Sequence, residues 1–453
     1  MKKLFYWTMM LSIATTSLYA QEGRIKFEEY DMENGLHVIL HQDNTTPIVN
    51  VAVLYHVGSK NEPKGRTGFA HFFEHLMFEG SENIERGEYM KIIQAAGGTL
   101  NANTSNDRTY YYQTLPSNQV ELGLYMESER MLHAKIDSTG IATQKEVVKE
   151  EKRLRIDNQP YMSFQAKMFE AAFHGTNYAW TPIGSFEDID AATDQDFKDF
   201  YETFYVPNNA TLSIAGDIDK TQVKELIEKY FAEIPQGTND IPRPTIPEPP
   251  FDGEKSETVF DNIQLPAVFY GYRIPPQGSD EDYALQMLTT LLSGGQSSRF
   301  YKKLVDEDEI ALQVMAFPFT MESGGIFITL GLTNIGKTPE ELEKGMMAEI
   351  DKVQTELITD EELQKLKNQM ENSFVSSNST VAGIAESLAD YYVYYGDANL
   401  INSEIDRYMA VTKEDILNVA KKYLVEDNRV VLYYLPKSAQ QKPEDSKVNK
   451  EGK

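Results

Sequence analysis

The residues best suited to chemistry in this chain are His71, Glu74 and His75, which stand in the short run His-Phe-Phe-Glu-His. Histidines four residues apart lie one above the other on a helix face, so both imidazoles can reach a single metal ion. Glu74 can bring its carboxylate to the same space, where it could act as a general base. Two ordinary histidines beside a surface glutamate are the competing interpretation, but the chain has only 7 histidines, which makes a chance match uncommon. The run therefore predicts a divalent-metal site on a helix.

A third ligand is expected elsewhere in the chain, because a catalytic zinc ion takes three protein ligands and keeps one position for water. The segment 144–154 contains three glutamates. Of these, Glu151 shares an i, i+4, i+7 spacing with Val147 and Leu154, which predicts one apolar, buried helix face. An unpaired carboxylate is rarely buried in such a face, so a metal ion would explain Glu151 there. An ion pair with Arg155, four residues further on, explains the same position equally well.

The helix that carries the first two ligands is predicted over about residues 68–79, with Thr67 as a candidate cap and Gly80 as its stop. Apolar side chains at helical spacing predict a buried stripe beside the ligands, made of Phe69, Phe72, Phe73 and Leu76. Around this helix the pattern predicts strands within 25–57, 99–115 and 210–216, a helix over 86–96, and further helices to about residue 172.

The chain is long enough for more than one domain, and it has a natural division near its middle. It contains 453 residues, of which 41% are hydrophobic and 11% aromatic, so sizeable cores are expected. Residues 234–253 hold six prolines and two glycines, a composition that excludes a helix or a central strand. The two parts that this segment separates each end in a Tyr-rich helix followed by a strand, which indicates a weak internal duplication.

The predicted fold is therefore α+β, with two related domains that each consist of an antiparallel-rich β-sheet covered by helices. The expected N-terminal, metal-bearing domain spans residues 21–236 and the related C-terminal domain spans 254–436, with a Pro-rich linker over 237–253. Residues 437–453 are polar and charged and are expected to form a disordered tail.

Charge and cysteine content exclude several classes of function. Lys and Arg total 43 against 70 Asp and Glu, a formal charge of −27, which disfavours binding to nucleic acid. The acidic surface could serve solubility or attract basic peptides, and the composition does not decide between them. The chain has no cysteine, so any metal must be held by histidine and carboxylate side chains.

The first twenty residues have the features of a secretory signal. Lys2 and Lys3 precede a short apolar stretch that ends at Ala20, which predicts cleavage before Gln21. A membrane anchor is the alternative, but the stretch is shorter than the about 20 apolar residues that a span needs. No later segment is apolar enough to cross a bilayer, so the mature protein is expected to be exported, to the periplasm of a Gram-negative cell.

At this point the chain resembles the pitrilysin or insulinase-like metallopeptidases, especially the bacterial proteins similar to the mitochondrial processing peptidase. The order His-x-x-Glu-His marks the inverzincins, and further similar stretches lie at 97–116, 183–219 and 293–304. The family places its third zinc ligand about 76 residues after the second histidine, which again selects Glu151. The resemblance implies a zinc endopeptidase with one Zn²⁺ per chain, which acts on peptides or unfolded polypeptides with Glu74 as its base.

The resemblance also implies where substrate binds. In the family an edge strand near the zinc pairs with the substrate backbone, and here that strand would present Asn101, Ala102, Asn103 and Thr104 to the cleft. Adding the substrate as a further strand reads its backbone rather than its side chains, which suits a broad specificity. An ordinary edge strand with a polar face is the competing interpretation.

Two departures from the family pattern bear on activity. Members often have a glutamate seven residues before the zinc-binding one, where this chain has Gln144, so tuning of the site by an outer-sphere residue is expected. Self-sufficient members also carry an Arg and a Tyr that hold the substrate, and here Val305 and Leu312 occupy those positions. Because neither side chain can donate a hydrogen bond, we expect a homologous partner subunit to supply the pair, with this chain as the zinc-bearing subunit of a heterodimer.

Two other functions remain in competition with an active peptidase. Some relatives are non-catalytic scaffold or processing-helper subunits, although such chains usually lack a complete zinc motif. A periplasmic binding module with a structural zinc would need a closed fourth ligand. No further histidine is clearly placed to be one, the others being His37, His41, His56, His133 and His174.

Overall fold

The computed structural model describes residues 25–247 and 253–440. The predicted signal peptide, residues 248–252 of the predicted linker and the tail from residue 441 lie outside these ranges. Among the described residues, no helix is both long and apolar enough to cross a membrane.

The strands of the described residues are β1 (Phe27–Asp31), β2 (His37–Gln42), β3 (Ile48–Tyr55), β4 (Thr99–Thr104), β5 (Thr109–Pro116), β6 (Ala210–Gly216), β7 (Lys255–Asp261), β8 (Ala267–Ile274), β9 (Ala311–Met321), β10 (Gly324–Thr333) and β11 (Arg429–Pro436). The α-helices are α1 (Phe69–Leu76), α2 (Tyr89–Ala95), α3 (Val120–His133), α4 (Ser138–Lys152), α5 (Phe164–Ala172), α6 (Phe186–Ala191), α7 (Asp194–Phe204), α8 (Lys220–Phe231), α9 (Asp280–Ser293), α10 (Pro339–Thr355), α11 (Asp360–Ser377), α12 (Val381–Tyr395), α13 (Glu404–Ala410), α14 (Lys413–Tyr423) and α15 (Lys437–Gln440).

The strands form two sheets with the same internal order. The first runs β1-β2-β6-β3-β5-β4 and the second runs β7-β11-β8-β10-β9, so the two orders coincide once β1 is set aside. Each sheet has one parallel pair at the matching place, β2 with β6 and β7 with β11, and its other pairs are antiparallel. The prediction of two related domains, each an antiparallel-rich sheet covered by helices, is confirmed.

Each sheet is covered on one face by a helix from the other half of the chain. Helix α12 of the second half packs on the first sheet, where Ile384 and Leu388 join Ile39 in one apolar cluster. Helix α5 of the first half packs on the second sheet, where Phe169 joins Phe269. The central strands are therefore buried on both faces, which is why they read as continuous apolar runs. The two halves are separate stretches of the chain, but each contributes one helix to the core of the other.

The two corresponding hairpin turns also meet where the halves join. Asp107, in the turn between β4 and β5, accepts a hydrogen bond from the backbone N–H of Glu322, in the turn between β9 and β10, at 3.0 Å. The buried Lys60 ammonium lies 3.0 Å from an oxygen of Asp107 and also pairs with Glu322. His56 contacts the same Glu322 carboxylate at 2.8 Å. These charges are partnered at the junction, as burial requires.

The helix that carries the candidate ligands begins differently from the sequence prediction. Thr67 does not cap α1, since its hydroxyl donates to Asp188. The residue that precedes the helix is Gly68, whose φ of 94° lies in the left-handed region that favours glycine. The backbone N–H groups of Gly68 and Ala70 donate to the buried Glu62 carboxylate, each at 2.9 Å. Glu62, which lies before the predicted helix, satisfies the N–H groups that a helix leaves free at its start.

The segments at the predicted boundaries are partly ordered. Residues 237–247 form no regular element, but the carbonyl of Pro242 accepts a hydrogen bond from Asn61 at 3.0 Å. The predicted tail starts at residue 437, whereas residues 437–440 form the short helix α15, so this part of that prediction was wrong. Helix α15 begins at the residue after the end of strand β11, and that strand holds the start of the helix in place.

The Glu62→Ala variant should lower the free energy of unfolding by about 2–4 kcal/mol, because several buried N–H donors lose their acceptor together. Those donors are the backbone N–H groups of Gly68 and Ala70; the indole N–H of Trp180, 2.9 Å from the same carboxylate, would keep only its second acceptor, the carbonyl of Ser59. Thermal unfolding measures the loss. The matched control is the exposed Glu33→Ala, which should change stability by less than about 0.5 kcal/mol. Equal unfolding midpoints for both variants would contradict the role of Glu62.

Candidate metal centre

The aromatic side of α1 fixes the direction of its polar side. Phe69, Phe72 and Phe73 are buried and pack against helix α7, where the ring of Phe72 lies 4.5 Å from that of Phe197 and the ring of Phe73 lies 5.2 Å from that of Phe200. His71, Glu74 and His75 lie on the other side of the helix and are partly exposed. The predicted buried stripe is therefore present, and it turns the candidate ligands toward an open space.

The structure brings the three predicted ligands together. Nε2 of His75 lies 3.0 Å from Oε2 of Glu151, and Nε2 of His71 lies 3.6 Å from the same oxygen. One donor atom from each side chain lies within 4.8 Å of the other two. Within the described ranges, this is the one group of three or more His or carboxylate side chains at such spacing. No fourth side chain of these types belongs to it.

The reason for expecting Glu151 proved partly wrong. Val147 and Leu154, predicted to share a buried face with it, are 42% and 56% exposed. The core contacts of α4 are made by Val148 and Ile141 instead. The α-helix also ends at Lys152, and residues 153–157 form a π-helical turn, so the i, i+7 spacing does not hold at Leu154. Glu151 therefore stands at the edge of an open space and not within a buried stripe.

The competing explanation for Glu151, an ion pair with Arg155, is also present. Nη1 of Arg155 lies 2.8 Å from Oε1 of Glu151, while Oε2 faces the two histidines. The Arg155 side chain is 76% exposed, and exposed pairs of this kind contribute little to stability. The two explanations use different oxygens of one carboxylate and are compatible.

The donor set fits a catalytic zinc ion. Two imidazoles and one carboxylate, with no thiolate, are a common set of three protein ligands for such a site. Oε2 of Glu151 is buried and lies 3.0 Å from Nε2 of His75 and 3.6 Å from Nε2 of His71, so the three potential donor atoms face one another. Burial lowers the pKa of His71 to about 4, so the imidazole is neutral at neutral pH, as metal ligation requires.

Glu74 does not belong to the group of three. Its carboxylate is half-buried and accepts a hydrogen bond from the hydroxyl of Thr104, from Oγ1 to Oε2, at 2.6 Å. Burial raises the pKa of Glu74, and the hydrogen bond from Thr104 opposes that rise. A carboxylate with a raised pKa beside a metal site is suited to accept a proton from water.

The four residues predicted to line the cleft lie on β4, the edge strand of the first sheet. They do not share one face, because successive side chains of a strand alternate. Ala102 and Thr104 are half-buried on one face, whereas Asn101 and Asn103 are exposed on the other. The backbone of all four lies on the open edge.

Gln144 is connected to the candidate ligands indirectly, through a hydrogen bond between their two helices. Its amide donates to Glu79, just after α1, at 2.5 Å, and Glu79 pairs with Arg86 at 3.0 Å. Arg86 in turn contacts Asp137, whose side chain caps α4. The amide therefore joins the two helices that supply the ligands. A glutamate at this position would face the Glu79 carboxylate.

The positions of the missing Arg and Tyr lie in the second half of the chain. Val305 packs against the second core, and Leu312, on the edge strand β9, is 56% exposed. The second half contains no histidine at all. Although the halves share a topology, the candidate ligands all come from the first.

Sequence reasoning missed Glu62 and the contact between Thr104 and Glu74. Both depend on residues far apart in the chain, such as Trp180, whose indole donates to Glu62. No local spacing pattern in the sequence predicts either of these contacts. The one available signal was an acidic residue shortly before the helix.

Comparisons with known proteins identify the family of this chain. A family model described as insulinase, peptidase family M16, matches residues 37–183, the part that contains all the candidate ligands. A model described as the peptidase M16 inactive domain matches residues 191–370. The zinc protease PqqE of Helicobacter pylori is 31% identical over 432 residues, which are 95% of this chain and 97% of that protein.

Solved structures share the whole fold. The crystal structure of a protease from Helicobacter pylori has a TM-score of 0.87 at 31% identity. The match covers 91% of this chain and 100% of the Helicobacter chain. The periplasmic protease PqqL from Escherichia coli has a TM-score of 0.75 at 18% identity. The match covers 93% of this chain and 49% of the PqqL chain, so the PqqL chain is about as long as two units of this size. By sequence and fold, this chain belongs to the M16, or insulinase-like, peptidase family.

Proposed function

We propose that this protein is a zinc metalloendopeptidase that hydrolyses peptides or unfolded polypeptides. The observation that carries the proposal is the convergence of His71, His75 and Glu151, with donor atoms within 4.8 Å of one another, beside the Glu74 carboxylate. Relatives named as zinc proteases support it. The group has three ligands among the described residues, which leaves a position for water.

Each residue has a separate task in this proposal. Zinc held by His71, His75 and Glu151 would act as a Lewis acid that polarises a substrate carbonyl and lowers the pKa of water toward ~7. Glu74 takes the proton of the attacking water and passes it to the leaving amine. Gln144 keeps α4 in register with α1 through Glu79, and so holds Glu151 opposite the histidines.

The open edge of β4 is suited to hold the substrate. Its outer N–H and C=O groups pair with no other strand among the described residues, and an extended peptide could bind there as an additional strand. The backbone of Asn101, Ala102, Asn103 and Thr104 would then align the scissile bond with Glu74.

The heterodimer is a second part of the proposal. Val305 is partly buried against the second core and Leu312 is exposed, so this chain offers no Arg or Tyr at those two positions. A homologous subunit that carries both would complete the substrate site. The span of PqqL, about two units of this size, is compatible with such pairing of units.

A non-catalytic scaffold or helper subunit is the second candidate function. It is favoured by the match of residues 191–370 to a model named for an inactive domain. Residues 191–370 contain no histidine, whereas the candidate ligands lie within residues 37–183, which the insulinase model matches. An active peptidase therefore accounts for more of the chain.

Two variants at the site should differ in their zinc content, which distinguishes loss of the base from loss of a ligand. Glu74→Gln should retain one zinc per chain and lose about 10²–10⁴-fold in kcat, because it removes the base and keeps the ligands. Glu151→Gln should lose zinc, because it removes a ligand. Elemental analysis and peptide cleavage measure the two quantities. Glu150→Gln, on the exposed side of α4, is the matched control and should change neither.

Two results would contradict these assignments. Normal turnover by the Glu74→Gln variant would remove Glu74 as the base. A wild-type protein that is folded but binds no zinc in stoichiometric amount would favour the scaffold function instead.

Adding a partner should raise activity. The mature chain alone should cleave unfolded peptides slowly, and a homologous chain with the Arg and Tyr should increase kcat/KM by at least about 10-fold, since it supplies missing transition-state contacts. The control is the same partner with that Arg and Tyr replaced by Val and Leu. A single chain that is fully active, and unaffected by either partner, would exclude the heterodimer.

We further propose that the protein is exported to the periplasm after cleavage before Gln21. The basic start and short apolar stretch of the precursor support this, as does the likeness in fold to a periplasmic protease. Mass spectrometry of the protein from the periplasmic fraction should find Gln21 at the N-terminus. A full-length chain that stays with the membrane would indicate an anchor.

A further inference from the structure

The Glu74 carboxylate is held by one side chain of the edge strand. Among the described residues, Thr104 makes the one hydrogen bond to this carboxylate, at 2.6 Å from Oγ1 to Oε2. The last torsion of a glutamate side chain is broad and roughly two-fold, so the carboxylate plane is poorly fixed by the side chain alone. A donor on one oxygen sets the plane and leaves Oε1 as the oxygen free to accept a proton.

We propose that Thr104 is a positioning residue that fixes the Glu74 carboxylate in its productive orientation. The inference rests on the proposed function, because it assigns Thr104 a task through the base. It differs from the expectation that Thr104 only lines the cleft. The strand that would receive the substrate and the base that would take the proton from water are thereby joined through one hydroxyl.

The backbone of β4 sets the direction of the Thr104 hydroxyl. Thr104 is the last residue of β4 and pairs with Thr109 of β5, and its side chain lies on the same face as Ala102. A β-branched side chain has few rotamers in a strand. The position of Oγ1 therefore follows from the backbone of the strand.

The backbone after Thr104 is held by the second half of the chain. In the turn that follows, Arg108 pairs with Glu386 at 2.6 Å and with Asp390 at 3.1 Å, both on α12. Asp107 accepts the N–H of Glu322 at 3.0 Å. The orientation of Glu74 thus depends, through Thr104, on contacts that the two halves make with each other.

A role in binding substrate is the alternative for Thr104, and the two roles predict different kinetics. A residue that orients the base acts on the chemical step, so its loss lowers kcat at unchanged KM. A residue that binds the peptide backbone in the ground state raises KM. Two variants separate the hydroxyl from the shape of the side chain: the nearly isosteric Thr104→Val removes the hydroxyl, and Thr104→Ser keeps the hydroxyl but removes the methyl group.

The test compares these variants in the protein with its partner, with zinc content as a check. Thr104→Val should lower kcat about 10- to 100-fold, the cost of a misplaced catalytic group, with KM within about 2-fold and zinc retained. Thr104→Ser should stay close to wild type. Thr99→Val, at the exposed start of the same strand, is the matched control. In the Glu74→Gln background, Thr104→Val should cause no further loss, because the base is already absent.

Crystal structures of the variants provide a readout that needs no activity. In Thr104→Val the Glu74 carboxylate should rotate or occupy more than one orientation, and in Thr104→Ser it should keep the wild-type one. If Thr104→Val does not fold, Thr104→Ala removes the same hydroxyl with a smaller side chain and should give the same result. A zinc-bound wild type without peptidase activity would refute the proposed function, and the structures would still decide the role of Thr104.

An unchanged carboxylate in the structure of Thr104→Val would overturn the inference. A rise in KM at constant kcat would also overturn it, in favour of a contact with substrate. Equal losses in Thr104→Val and Thr104→Ser would do the same, because the serine variant retains the hydroxyl.

Discussion

The packing of α1 against α7 is the interaction on which the site depends. Phe69, Phe72 and Phe73 are buried against aromatic rings such as Phe197, and a short helix can then present only its opposite side to the open space. Burying three such side chains stabilises the fold by several kcal/mol, far more than orienting two imidazoles costs. The ligands stay in place because the helix cannot rotate without exposing its phenylalanines. Glu62 adds to this by satisfying the N–H groups at the helix start.

Local spacing accounts for the part of the site that could be predicted. His71, Glu74 and His75 follow directly from the helical period, because all three lie on one element. Glu151 was selected by a face that proved exposed, so the periodicity argument for it was incorrect, although its carboxylate does lie 3.0 Å from His75 and 3.6 Å from His71. Thr67 was given a capping role that belongs to Glu62. The contact of Thr104 with Glu74 joins a strand to a helix 30 residues away, and no spacing rule covers such a pair.

At the level of the fold, the duplication was visible in the sequence while its consequence was not. Two Tyr-rich endings and a Pro-rich segment predicted related halves, and the sheets do share one strand order. The exchange of α5 and α12 was not foreseen, because an amphipathic helix does not reveal which sheet it covers. The two halves also differ in what they carry. The second half contains no histidine, so the candidate ligands all lie in the first half.

The exchange of α5 and α12 has a consequence for the order in which the chain can fold. One face of the first sheet is covered by α12, whose last residue is Tyr395. During synthesis that sheet therefore emerges from the ribosome with an apolar face bare, and it stays so until nearly the whole polypeptide has been translated. The contacts that close it join residues far apart in the chain, a feature that slows folding and prolongs the exposure of apolar surface.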